Sequence, residues 1–148
     1  MEAYHYRTSG LDDVYLLNGF DVIEYGEEKA VSIHNIDGLH QVISCALVHQ
    51  EARLTGREFR FLRIEMDLSQ KACGLWFGMS DQTVALWEKN DRVPQWADAF
   101  IRLVYMESLG EDSEVREVLD MLSKIDRAIH RGDIRVEESE DGWTLKVA

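Results

Sequence analysis

The chain has 148 residues, 45% hydrophobic and 30% charged, with a net charge of −12 and a pI near 4.7, enough length for one core or for a small module with appendages. Its two cysteines have no neighbouring partner, which excludes a disulfide framework and fits a reducing compartment. No apolar run approaches the roughly 18 residues of a membrane span, and MEAYHYRTSG is no signal peptide, so a cytoplasmic, soluble protein is expected.

In chain order, residues 4–36 read as a small antiparallel sheet. Tyr4 and Tyr6 alternate with polar residues, and Val14-Tyr15-Leu16-Leu17 forms a short apolar strand. Asn18-Gly19 predicts a hairpin turn into Phe20–Tyr25, because both positions accept positive φ. Gly26-Glu27-Glu28 turns the chain again, and Lys29 to Ile36 makes a third strand. Asp37 is the expected N-cap of a helix ending near His49, with Leu39, Val42, Ile43, Ala46 and Leu47 on one stripe. Cys45 and His49 lie four apart on that helix, near His34 and His40. Zinc needs four converging ligands, usually gripped in pairs, so no metal is expected, nor any cofactor.

Thr55-Gly56-Arg57-Glu58 is a capping box for a helix over 54–66, with Phe59, Leu62 and Met66 inward and Arg57, Arg60 and Arg63 outward. The stretch SQKACGLWFGMSDQTVALWEK, from Ser69 to Lys89, predicts two short helices joined by a tight turn. Ser69 and Ser80 are the N-caps, and Gly78 reverses the chain. Val84 and Trp87 share the core side of the second helix. Asp81, Gln82, Thr83, Ala85 and Leu86 turn outward near its start. A helix standing on a packed partner, with amides and hydroxyls at its exposed N-terminus, suits the major groove of DNA. Asn90 stands ready as a left-handed C-cap, and Pro94 opens a further helix with Trp96, Phe100, Ile101, Leu103 and Val104 in core positions.

Charge is distributed accordingly. Residues 53–102 hold eight Lys/Arg against seven Asp/Glu; residues 1–52 hold two against nine, and residues 103–148 six against twelve. The central block is therefore the least acidic part, as phosphate contact requires.

The run Ser69-Gln70, Gly78-Met79-Ser80, Gln82-Thr83-Val84 and Trp87-Glu88-Lys89 resembles the Cro/lambda-repressor-type helix-turn-helix family, the XRE family, over about Leu54 to Tyr105. The resemblance implies a five-helix lambda-repressor-like domain that binds double-stranded DNA. Ser80, Asp81, Gln82, Thr83 and Leu86 would face base edges, and Gln70, Lys71, Lys89 and Arg92 would hold phosphates. Leu86 departs from the usual Arg, Lys or Gln; it can pack on a thymine methyl or against a neighbouring element. A β-rich unit ahead of such a domain is similar in layout to MqsA-type antitoxins. The two C-x-x-C zinc pairs of that family are missing here, so no structural metal carries over.

In the last third, Val115, Val118, Leu122, Ile125 and Ile129 recur at spacings of three and four along a helix over 113–130. They form either a stripe on their own domain or a dimer seam. Ile134 and Val136, then Trp143, Leu145 and Val147, alternate around Glu140-Asp141-Gly142 as a hairpin. No phosphate loop, H-E-x-x-H or G-x-S-x-G occurs, so no enzyme is expected.

The expected fold is mainly α with small β appendages (α+β). It comprises a β-rich unit over 1–52 ending in a helix, a DNA-binding domain over 53–110 and a helix-plus-hairpin element over 111–148. The expected function is a homodimeric regulator of transcription, a repressor acting on an inverted repeat, with its own operon as one target to expect. The alternative is an antitoxin whose acidic N-terminal unit neutralises a basic toxin.

Overall fold

A computed structural model describes residues 3–110, Glu114, Glu117 and 136–145 of the chain. Among these are five α-helices and three two-stranded antiparallel sheets, a mixed α+β architecture. No helix among the described residues is long and apolar enough to cross a membrane.

The N-terminal unit departs from the expected single meander. β1 (Tyr4–His5) pairs with β2 (Tyr15–Leu16), while β3 (Phe20–Tyr25) pairs with β4 (Glu28–Ile33) as a separate ribbon. Asn18-Gly19 is therefore not a hairpin turn. A tight primed turn at that dipeptide needs positive φ at both residues, and only Gly19 adopts it, at 79°. Gly26, at φ 60°, instead begins a two-residue connection that closes six pairs, from Tyr25 opposite Glu28 to Phe20 opposite Ile33. β4 stops at Ile33, and Asn35 takes the left-handed conformation at φ 43°.

Asn35, not Asp37, caps α1 (Ile36–His49): its side chain accepts from Gly38 N at 3.3 Å, and Asp37 falls in the first turn. The buried arc of α1 is Ile43, Ser44 and Leu47, with Leu39 and Val48 partly covered. Val42 is 68% exposed and Ala46 is also exposed, so the stripe is rotated from the expected one. The cause is the set of neighbours. α1 packs against the helices α2 (Gly56–Glu65) and α5 (Gln95–Ser108), and Ile43, Ser44 and Leu47 are its buried residues.

The remaining helices, α3 (Gln70–Phe77) and α4 (Asp81–Asn90), complete a core around the fully buried Leu54, Phe59, Leu62, Cys73, Val84 and Ile101. Phe59, Phe77, Trp87, Trp96 and Phe100 form a connected ring cluster, with touching centroids 5.0 to 5.9 Å apart. Pro94 is the N-cap of α5 rather than its first residue, at φ −61° and ψ 150°. Ile101 and Val104 are buried as expected, but Leu103 is 69% exposed and Trp96 only half-covered. Two residues advance a helix by about 200°. With Ala97, Ile101, Val104 and Tyr105 inward, Leu103 must therefore point out.

The expected C-terminal hairpin is present as β5 (Val136–Ser139) and β6 (Gly142–Leu145), joined through Glu140-Asp141. The candidate seam of Val115, Val118, Leu122, Ile125 and Ile129 lies outside the described residues.

Candidate nucleic-acid interface

α3 and α4 are set by local chemistry. Ser69 Oγ accepts from Ala72 N at 3.0 Å and Ser80 Oγ accepts from Thr83 N at 3.1 Å, each satisfying an amide left open at a helix start. Gly78, at φ 67°, ends α3 in the left-handed conformation, and Met79 N donates to Gly74 O at 2.8 Å. The turn sits so close to α3 that a Cβ on Gly74 would lie 2.5 Å from Met79 O. Only glycine permits that approach.

The expected outer position of Arg63 is not what the fold adopts. Arg63 and Glu88 have side chains only 9% and 5% exposed. Arg63 Nε donates to Glu88 Oε2 at 2.7 Å and Nη2 donates to Oε1 at 3.0 Å, a bidentate fork. Arg63 Nη1 donates to Leu68 O at 2.7 Å, and Gln70 Nε2 donates to Glu88 Oε1 at 3.2 Å. The pair thus ties α2, the α2–α3 connection and α4 together. Periodicity alone could not find it, since Arg63 sits on a charged-looking face and Glu88 within Trp87-Glu88-Lys89.

A second tie joins the same helices. The C-cap of α4 is Asp91, at φ 52°, rather than Asn90, which is the last helical residue. Asp91 Oδ1 accepts from Gly56 N at 2.7 Å, so one side chain both follows α4 and caps the start of α2. A Cβ on Gly56 would run into the carbonyl oxygen of Glu88.

On this frame α4 turns Val84 and Trp87 inward and leaves Asp81, Gln82, Leu86, Lys89 and Asn90 exposed. Of the proposed groove-facing set, Ser80 is occupied as a cap. Its Oγ also lies 3.0 Å from Oγ1 of the half-buried Thr83. Asp81 Oδ1 accepts from Gln82 N at 2.9 Å. The Gln82 carboxamide has no partner among the described residues, and Leu86 is 55% exposed with no element packed over it. Of the proposed phosphate set, Gln70 is turned toward Glu88. Lys71, Lys89 and Arg92 are exposed, with no ion-pair or hydrogen-bond partner for their charged heads among the described residues.

Cys73, on the inner side of α3, is fully buried, and burial pushes its thiol up to about 12, so it packs in the neutral form. His40, His49 and His34 are each hydrogen-bonded, to Glu65, to the Cys45 carbonyl and to Asp21. Among the described residues no three His, Cys, Asp or Glu side chains gather as a metal-ligand set.

No family model, characterised protein or solved structure compared with the chain gives a match.

Proposed function

We propose that this chain is a sequence-specific DNA-binding regulator of transcription of the Cro/lambda-repressor type, acting as a homodimeric repressor on an inverted repeat. The observation that carries the reading is the surface of α4. Gln82 and Leu86 stand free near the N-terminal half of a rigidly held helix, flanked by Lys71, Lys89 and Arg92, whose charges nothing in the described chain neutralises. Free amide and methyl groups suit base edges, and unpaired cations suit the phosphates on either side. The test is selection from a random-sequence DNA pool with the full chain, followed by footprinting. Enrichment of one motif, protected on both strands, is the expected result; binding that is weak and indifferent to sequence would overturn it.

A second reading, an antitoxin, is favoured by the β3–β4 ribbon. Val22, Ile23 and Tyr25 are exposed there beside Asp21, Glu24, Glu27 and Glu28. An acidic, apolar-tipped ribbon fits a basic protein partner. Co-purification from the native host distinguishes the two, since only the antitoxin brings down a small basic protein in stoichiometric amount.

A further inference from the structure

A cleft of about 850 Å³, with no residue of α4 in its wall, lies between the N-terminal segment 5–12 and the outer face of α2. In a chain of net charge −12, three arginines converge on it: Arg7, Arg57 and Arg60. The two carboxylates in its wall are already engaged. Asp12 Oδ1 accepts from Arg57 Nη1 at 2.8 Å. Glu65 Oε1 accepts from His40 Nδ1 at 2.7 Å, and His40 Nε2 accepts the Tyr6 hydroxyl proton at 2.8 Å, the tautomer that the carboxylate dictates.

Arg7 and Arg60 are what remains. Arg60 has no hydrogen-bond or ion-pair partner among the described residues. Arg7 uses only its Nε, which donates to His5 Nδ1 at 3.1 Å; the His5 ring is itself held by Nε2 donating to Asp12 O at 2.6 Å. Both terminal amino groups of Arg7 are therefore oriented and unused. The adjoining turn is pinned as well, because Ser9 Oγ donates to Tyr6 O at 2.7 Å and accepts from Leu11 N at 3.1 Å. The apolar side chains of the lining are Ile64 and the nearly buried Phe61. Phe61 packs its ring 5.2 Å from that of His40, and Ile64 is half-exposed beside it.

We infer that this cleft binds a small organic anion, a phosphate or carboxylate carried on a flat apolar body. The head lies between the guanidinium groups of Arg7 and Arg60, and the body lies against Ile64 and the exposed edge of Phe61. Guanidinium forks match the paired oxygens of carboxylate and phosphate, and an anion between two cations removes their mutual repulsion. The site does not depend on what α4 binds.

The probe is phenyl phosphate, titrated into the full chain and followed by backbone amide resonances, with inorganic phosphate and phenol as its two halves. Phenyl phosphate should shift the amides of Thr8, Gly10, Arg60 and Ile64 saturably; inorganic phosphate should bind about tenfold more weakly, and phenol should not bind. Arg7→Ala and Arg60→Ala should each weaken phenyl phosphate about tenfold, since each removes a charge-assisted contact. Both should melt close to the wild type, because the Arg60 head has no partner among the described residues and the Arg7 head makes only an exposed bond to His5. The assignment fails if millimolar phenyl phosphate gives no saturable shift, if Arg60→Ala binds it unchanged, or if the shifts fall on α4. It also fails if Arg60→Ala lowers the salt slope of DNA binding as Arg92→Ala does, since the cleft arginines would then serve the DNA backbone.

Discussion

Arg63 and Glu88 show how much one buried contact governs. A charge removed from water is tolerated only while its partner and hydrogen bonds are in place, so truncating one member leaves the other stranded. Glu88→Ala is expected to cost about 3–5 kcal/mol in urea unfolding. The double change Arg63→Met with Glu88→Leu should recover most of that, and a double variant as unstable as the single one would contradict the account. Cys73 gives a second check. Its thiol stays neutral in the fold up to about 12, against the ordinary 9.0, so the unfolded chain loses that proton first as pH rises. The group's contribution is complete below pH 9 and falls between 9 and about 12. Ellman's reagent should therefore spare Cys73 in the native protein, react with the half-buried Cys45, and find both thiols after denaturation. On α4, Gln82→Ala should cost about 1–3 kcal/mol on the selected site and relax one base position. Arg92→Ala should weaken all sequences alike and lower the salt slope by about one unit. Equal effects of the two changes on selected and random DNA would refute the division of roles.

At the scale of elements, the α3–α4 pair is a rigid unit because its turn has no slack. Gly74→Ala places a methyl 2.5 Å from the Met79 carbonyl oxygen, which belongs to the turn and cannot swing away as a side chain would. The expected loss is about 1–3 kcal/mol, with DNA affinity falling further than global unfolding explains, because α4 is tilted on α3. Thermal melts and binding isotherms on the same samples separate the two, and an unaltered isotherm would show that the turn has room. α5 is held from the other side. Arg102 donates to the carbonyl oxygens of Val48, Gln50 and Ala52, and Asp98 Oδ2 accepts from Leu54 N at 2.6 Å. These bonds fix the α1–α2 connection, whose backbone groups would otherwise be left without partners.

For the whole molecule, the arithmetic of charge favours pairing. A central block with one net positive charge attracts DNA only modestly, and one helix reads only a few base pairs. Two copies multiply the base contacts and raise the effective concentration at the second half-site. Half-site centres are expected about 10 base pairs apart, or a multiple of that. Leu122→Glu, in the candidate seam over 115–129, should yield a folded monomer with greatly weakened operator binding, measured by light scattering beside anisotropy. A Leu122→Glu protein that remains fully dimeric would move the interface elsewhere, for instance to the exposed Leu103 and Met106 side of α5.

What the sequence by itself determined is what depends on a few consecutive residues. The Thr55–Glu58 capping box, the Ser69 and Ser80 caps, the Gly78 reversal and the Glu140-Asp141 hairpin all appear where expected, since each is made by groups close together along the chain. The core sides of α2 and α4 were likewise legible from Phe59 and Leu62, and from Val84 and Trp87, because helical periodicity is a backbone property. Tertiary structure alone decided the rest. Asn18-Gly19 had the composition of a hairpin, but β1 and β4 claimed the strands on either side of it. Val42 and Leu103 were apolar enough for a core and are exposed, because no element covers them. Arg63 was charged enough for the surface and is buried, because Glu88 comes to meet it from 25 residues away. Pairing, cover and charge compensation are properties of two segments at once, and such properties arise only when the chain brings the segments together.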